Sequence, residues 1–282
     1  MYSILFVILA AVVLFFLYKE RMFLKEVWKI RPMLLGLAKN DFKSRYSGSL
    51  LGFLWAFIQP LSMVAIYWFV FKFGLKSNPV GEVPFILWLI SGLIPWMFLS
   101  ETITAGGNCM VEYNYLVKKI VFKIEILPLV KVVSAAFTHI FLVAVMIVIY
   151  IFSGFYPDLY YLQILYYVFC AIVLIAGIVY LVSALNVFVK DTLNVVGIVI
   201  QALFWATPIV WDYSIMPETV QTLLKLNPFY YIITGFRDCF IYKKFFWERP
   251  LHTVYFWLIT LAILFLGTKI FNRFKEHFAD VL

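Results

Sequence analysis

The chain has 282 residues, 65% of them hydrophobic and 13% charged, with a formal net charge of +8 and a mean hydropathy of +0.96. A water-soluble domain of this length is roughly 45–50% apolar and about 25% charged, so the composition excludes a soluble globular fold and makes lipid the solvent. The cations gather at the ends of apolar runs, where the positive-inside rule puts them, which excludes a nucleic-acid-binding face as the source of the charge.

Residues 3–18 form an uncharged apolar run followed by Lys19-Glu20-Arg21. The run lacks the basic leader and small-residue cleavage site of a signal peptide, so residues 1–18 are expected to be an extra transmembrane helix or an interfacial one. Residues 19–49 are amphipathic: Leu24, Val27, Trp28, Leu34, Leu35, Ala38 and Phe42 recur near helical spacing, with Lys25, Lys29, Arg31, Lys39 and Lys43 between them. Pro32 suits a first helical turn, and a basic amphipathic helix beside a span lies in the headgroup plane.

Six later runs approach the roughly 20 residues that cross a hydrocarbon core in helix: 50–73, 84–104, 129–153, 161–187, 192–211 and 252–271. The expected fold is an all-α polytopic membrane protein, with six core transmembrane helices in a permease domain over 50–272 and a tail at 273–282. Lysine and arginine in the short connections (19–49; Lys118, Lys119 and Lys123; Lys190; Arg273 and Lys275) place those segments, and the C-terminus, in the cytoplasm. Lys190-Asp191 reads as a helix stop and N-cap.

Between the second and third runs, Tyr113, Val117, Ile120, Ile124 and Leu127 follow one helical stripe, with Glu112, Lys119 and Lys123 opposite. Pro128 marks the junction with the next span. Such a helix rests its apolar face on the bundle and turns its charged face to a soluble partner; a solvated loop with snorkelling lysines is the plainer reading. Farther on, "SIMPETVQTLLKLNPFYYIITGFRDCFIYKKFF" (214–246) is too apolar for a solvated loop. Pro217 and Asn227-Pro228 open two helices too short to span, which suits re-entrant half-helices over 217–241 at an external pore mouth.

Catalytic signatures are missing from the sequence. There is no phosphate-binding G-x-x-x-x-G-K-[ST] run, and His139, His252 and His277 are scattered, so no metal cluster is expected. The three cysteines, Cys109, Cys170 and Cys239, read as apolar filler. Within the runs, Glu101 is the ionisable residue that stands out; it is expected to pair with a cation from 19–49. His139 is expected to bond a neighbouring helix. Aromatic residues make up 20% of the chain, more than interfacial belts require, and their faces can stack on sugar rings.

Seven segments in order resemble the permease subunit of the ABC exporters for O-antigen, capsule and teichoic-acid polymers. They are "YSGSLLGFLWAFIQPL" (46–61), "GLIPWMFLSETI" (92–103), "NYLVKKIVFKIEILPL" (114–129), "SALNVFVKD" (183–191), "TPIVW" (207–211), "LNPFYYI" (226–232) and "GFRD" (235–238). The likeness covers about residues 25–272. It departs at Phe122-Lys123-Ile124, where such permeases often carry Phe-Pro-Arg, and in the first 18 residues, which exceed the usual start.

The resemblance implies a bacterial inner-membrane homodimer, not itself an enzyme, served by two copies of a separate cytoplasmic ATPase that binds ATP and magnesium; this chain itself needs no cofactor. The cargo is then a polysaccharide on undecaprenyl pyrophosphate; a small lipid or drug-like cargo is the alternative. Residues 107–126 become a coupling helix contacting the ATPase through Glu112, Tyr115, Lys118, Lys119, Phe122 and Lys123. Residues 19–49 become a cytoplasmic gate, with Lys39, Lys43, Arg45 and Tyr46 near the lipid pyrophosphate. Tyr67, Trp96, Phe98, Phe204 and Trp205 line the glycan channel, and Asn227, Pro228, Tyr230 and Arg237 form the external gate.

Overall fold

The structure is a computed structural model that describes residues 25, 27–45, 47–76, 79, 83–119 and 122–282. The extra N-terminal helix expected over 1–18 and Tyr46 lie outside the described residues. The described chain is helical, in this order: α1 (Arg31–Ser44), α2 (Trp55–Phe69), α3 (Phe85–Gly107), α4 (Cys109–Glu112), α5 (Asn114–Val117), α6 (Leu127–Phe152), α7 (Gln163–Phe188), α8 (Thr192–Ala206), α9 (Glu218–Leu224), α10 (Pro228–Arg237), α11 (Pro250–Phe274) and α12 (Phe278–Val281).

Five helical stretches among the described residues are long and apolar enough to cross a membrane: Gly52–Gly74, Phe85–Gly107, Ile124–Phe152, Leu159–Phe188 and Pro250–Val281. The fifth run, 192–211, does not form a full span. Its helix, α8, has 15 residues and is about 22 Å long at 1.5 Å per residue, short of the roughly 30 Å hydrocarbon core. The cause is local. Pro208 disfavours helical backbone at the residue before it, and Thr207 is extended, with φ −101° and ψ 132°.

The core is built around α3, most of which is buried against α6, α7 and α10. Helices α7 and α11 pack with close backbone approach. A Cβ on Gly177 would sit 2.7 Å from the backbone of Leu264, and one on Gly267 would overlap the Gly177 carbonyl oxygen. Small residues permit such contact where lipid gives helices no hydrophobic reason to associate. By contrast, α2 buries only Ala56 and α8 buries no residue. These two helices flank the open side of the bundle.

The linking segment after α3 is not the continuous amphipathic helix expected over 107–126. Among the described residues it has two single turns, α4 and α5, broken at Tyr113 (φ −99°, ψ 29°), an extended Lys123 (φ −81°, ψ 91°) and a 3-10 turn at Ile124–Ile126. Ile120 lies outside the described residues. The apolar side survives without the regular stripe. Met110, Leu116 and Val117 are buried with Tyr180, Phe271 and Phe278 from α7, α11 and α12. Pro128 falls in the first turn of α6, and Pro32 in the first turn of α1.

Candidate functional site

A groove of about 790 Å³ runs along the open side between α2, α3 and α8. Helix α3 lines it with Leu93, Trp96, Met97, Ser100, Glu101, Thr104 and Ala105, a spacing of three and four that is one face of a helix. Helix α8 adds Gly197, Ile200, Gln201, Phe204 and Trp205, and α2 adds Gln59, Met63 and Tyr67. The aromatic rings are contiguous: Tyr67 lies 6.0 Å from Phe204, Phe204 lies 5.8 Å from Trp96, and Trp96 lies 5.9 Å from Phe229. Trp205 meets Phe204 edge-on at 5.3 Å and is largely exposed.

At one end the groove meets a chain of charges. Glu101 Oε1 accepts a hydrogen bond from Arg45 Nη1 at 3.0 Å. Arg45 Nη2 lies 3.1 Å from Asp41 Oδ2, one helical turn earlier on α1. The Lys131 ammonium on α6 donates to Asp41 Oδ1 at 2.6 Å and to Glu112 Oε1 of α4, also at 2.6 Å. Tyr113 donates its hydroxyl to Asp41 at 2.5 Å. Glu112, Lys131, Asp41, Arg45 and Glu101 thus form an unbroken series from the linking segment to the groove wall. Asp41 and Lys131 are both almost fully buried, a placement that requires pairing.

Burial works to raise the Asp41 pKa, but the Lys131 and Tyr113 hydrogen bonds and the Lys131 charge outweigh it and hold the carboxyl below its ordinary value. Tyr113 is pushed upward by burial and by its hydrogen bond to Asp41. A second ion pair, Lys275 to Glu125 at 2.5 Å, ties the chain after α11 to the turn before α6.

The chain beyond α8 is organised by Arg237. Its guanidinium is buried, donates to the carbonyls of Pro208 at 2.6 Å and Ile209 at 2.8 Å, and lies 3.6 Å from the Trp88 ring. It therefore satisfies the backbone that α8 leaves unpaired after Thr207. Asn227 caps α10 by accepting from the Phe229 amide at 3.0 Å, and donates to Thr207 Oγ1 at 2.8 Å. Pro228 is in the first turn of α10, and Tyr230 is buried in it. Of the two short helices expected here, α10 is covered by protein, whereas α9 has no buried residue.

The structure gathers Tyr67, Trp96, Phe204, Trp205 and Glu101 around one groove. Phe98 is elsewhere: it is buried and stacks on His139 at 4.4 Å, because residue 98 falls two positions from the groove-facing 96 and 100 on the helix. His139 is not bonded to a neighbouring helix; neither ring nitrogen has a hydrogen-bond partner, and its contacts are the rings of Phe98 and Phe236.

The basic residues of α1 do not converge. Lys39 and Lys43 are exposed, while Arg45 turns inward to Asp41 and Glu101. In the linking segment Tyr115, Lys118, Lys119 and Lys123 are exposed, Phe122 packs against the apolar cluster, and Glu112 is engaged by Lys131. Asp191 occupies the N-cap position of α8 without a side-chain cap bond.

Sequence reasoning missed Lys131 and Asp41. Lys131 was absorbed into an apolar run, although a lysine there is itself a signal for a buried partner. Gln59, Ser100, Thr104 and Gln201 were missed too. Their signal was a shared helical face with Trp96, Glu101 and Phe204.

Comparison with known proteins gives the family of the chain. Residues 34–241 match the family described as "ABC-2 type transporter". The chain is 28% identical over 252 residues to the O-antigen export system permease protein RfbA of Klebsiella pneumoniae, covering 89% of this chain and 95% of the relative. It is 26% identical over 258 residues to the protein of the same name from Myxococcus xanthus, covering 91% and 97%. With the polysialic acid transport protein KpsM of Escherichia coli it shares 21% identity over 256 residues, covering 89% and 96%. A helical membrane bundle with an open groove, matched along most of its length, belongs to the ABC-2 type transporter family as a multi-pass permease.

Proposed function

We propose that this chain is the membrane subunit of an exporter that moves a lipid-linked polysaccharide from the cytoplasm, as a homodimer driven by a separate ATPase. The observation that carries the reading is the groove. It is open on one side, lined by contiguous rings and by Gln59, Ser100, Thr104 and Gln201, and its flanking helices α2 and α8 present apolar faces, including Met63, Ile66, Val195 and Ile198, to the outside. Two copies meeting there would close the grooves into one channel. Rings suit sugar faces and side-chain amides and hydroxyls suit sugar hydroxyls, and neither fixes a polymer at one register. The names of the relatives support the same cargo class.

The exposed residues Tyr115, Lys118 and Lys119 surround a linking segment whose other side is anchored in the bundle. This arrangement suits a contact that receives force from the ATPase. Glu112 and Tyr113 of that segment bond Lys131 and Asp41, so a push there is passed to α1 and, through Arg45, to Glu101. The permease then has two arrangements of α1 against the groove, and nucleotide binding to the partner selects between them. Lys39 and Lys43 on the exposed side of α1 would meet the lipid pyrophosphate.

A second reading, export of a small apolar cargo, is favoured by one feature: a wholly apolar hollow of about 260 Å³ between α3, α7 and α8, lined by Ile103, Ile178, Val182 and Val199. Co-purification of the chain with its ATPase, followed by measurement of ATP hydrolysis with lipid-linked glycan or with a short-chain lipid, separates the two. Stimulation by glycan supports the first reading, and stimulation by the lipid alone supports the second.

A further inference from the structure

We infer that the groove selects uncharged glycans and excludes acidic ones. The inference rests on the polysaccharide-export reading above and adds the chemical class of the polymer.

Among the described residues, one charged residue lines the groove, and it is a carboxylate, Glu101. Its side chain is 46% exposed, so the charge faces the path. Among the described residues no lysine or arginine lines the groove. Arg45 reaches Glu101 from outside the lining and is shared with Asp41. Counted along the whole series, three carboxylates (Asp41, Glu101 and Glu112) face two cations (Arg45 and Lys131). The residual charge is negative and is shared by the two ends of the series, Glu101 at the groove and Glu112 in the linking segment. The buried Arg237 does not line the groove; its two terminal nitrogens bond the Pro208 and Ile209 carbonyls just after α8.

Pores that pass anions carry rings of Arg or Lys, whereas Asp and Glu rings reject them. A polymer with a carboxylate on every repeat would bring one anion after another past Glu101, through a wall whose only nearby cation, among the described residues, is the Arg45 already engaged by Glu101 and Asp41. Pairing two copies through this face would place a second Glu101 on the path. An uncharged sugar meets no such barrier: Gln59, Ser100, Thr104 and Gln201 exchange hydrogen bonds with its hydroxyls, and the rings stack on its faces.

The test uses the full chain with its ATPase in liposomes. Two probes share one lipid pyrophosphate carrier and one chain length, the first a homopolymer of neutral hexose, the second a homopolymer of hexuronic acid. ATP hydrolysis and glycan export are both read. The neutral probe is expected to stimulate and be exported, with the acidic probe weaker by about ten-fold or more. Gln201→Arg, which adds a cation at an exposed position on α8, is expected to raise export of the acidic probe several-fold, and Glu101→Gln to act in the same direction. Equal export of both probes by the unaltered protein overturns the charge selection and leaves the polysaccharide reading standing. Export of neither probe overturns that reading, and the selection falls with it. If Gln201→Arg is assembled and active on the neutral probe but gains nothing on the acidic one, the electrostatic cause is wrong.

Discussion

Lys131 and Asp41, ninety positions apart in sequence, are joined by a 2.6 Å hydrogen bond between almost fully buried side chains. This contact docks α1 on α6 and, with Glu112 and Tyr113, connects the linking segment to α1. Breaking a buried ion pair from one side leaves an uncompensated charge and costs roughly 3–5 kcal/mol. Lys131→Met is therefore expected to lower thermal stability in detergent strongly, and Asp41→Asn with Lys131→Met to recover much of the loss. If the double variant still assembles with the ATPase, it should hydrolyse ATP while exporting little, because the path to α1 is cut.

The same carboxyl sets a pH dependence. Asp41 has a folded pKa below its ordinary value of 3.8. A depressed carboxyl contributes its stabilisation fully above the ordinary value and loses it only as pH falls through the folded one. The difference in melting temperature between the unaltered protein and Asp41→Asn should therefore stay flat from about pH 8 to about pH 5. It should shrink only in strong acid. A difference that fades near neutrality would place the pKa elsewhere.

Two aromatic positions on α3 should behave differently although both are buried. Trp96 lines the groove, and Phe98 stacks on His139. Trp96→Ala is expected to reduce glycan export and glycan-stimulated hydrolysis more than it reduces the amount of folded protein. Phe98→Ala is expected to cost about 3–5 kcal/mol of stability, with export per folded molecule preserved. Melting curves and export assays on the same preparations distinguish them.

Arg237 binds two carbonyls and stacks on Trp88, and Gly92 leaves it room. A Cβ at Gly92 would lie 2.7 Å from Arg237 Nη2. Arg237→Met should lose two charge-assisted hydrogen bonds and about 3 kcal/mol or more. Gly92→Ala should weaken the same anchor by displacing the guanidinium. Both effects should appear as accelerated proteolysis of the chain between α8 and α10.

Lys118 and Lys119 are exposed where the linking segment leaves the bundle. Reversing both to Glu should leave the melting temperature of the isolated chain nearly unchanged, since surface substitutions usually stay within about 0.5 kcal/mol. Recovery of the ATPase on co-purification should drop several-fold. Undiminished recovery would move the docking surface away from this segment.

The long spans were legible because a membrane solvent makes hydropathy nearly sufficient: a helix satisfies its own backbone, and length follows from thickness. Turn chemistry was legible at Asn227-Pro228, which caps and opens α10 as its residue types dictate. The end of α8 was not read, although Thr207-Pro208 carried the signal, because Ile209, Val210 and Trp211 prolong the apolar run past the helix. The stripe from Tyr113 to Leu127 suggested one rod, but periodicity registers neither the extended Lys123 that interrupts it nor the bond from Tyr113 to Asp41 in a distant helix. For the same reason the sequence revealed the types of residue at the groove and not their grouping. Phe98 and Trp96 are equally aromatic, and only packing decides which one faces the path.

The most direct test is ATP-dependent movement of a fluorescent lipid-linked glycan across liposomes containing this chain and its ATPase. The account predicts movement only when both subunits and ATP are present, with the Trp96→Ala permease slower. Movement by this chain without the ATPase, or none by the complete pair with any lipid-linked glycan, would contradict it.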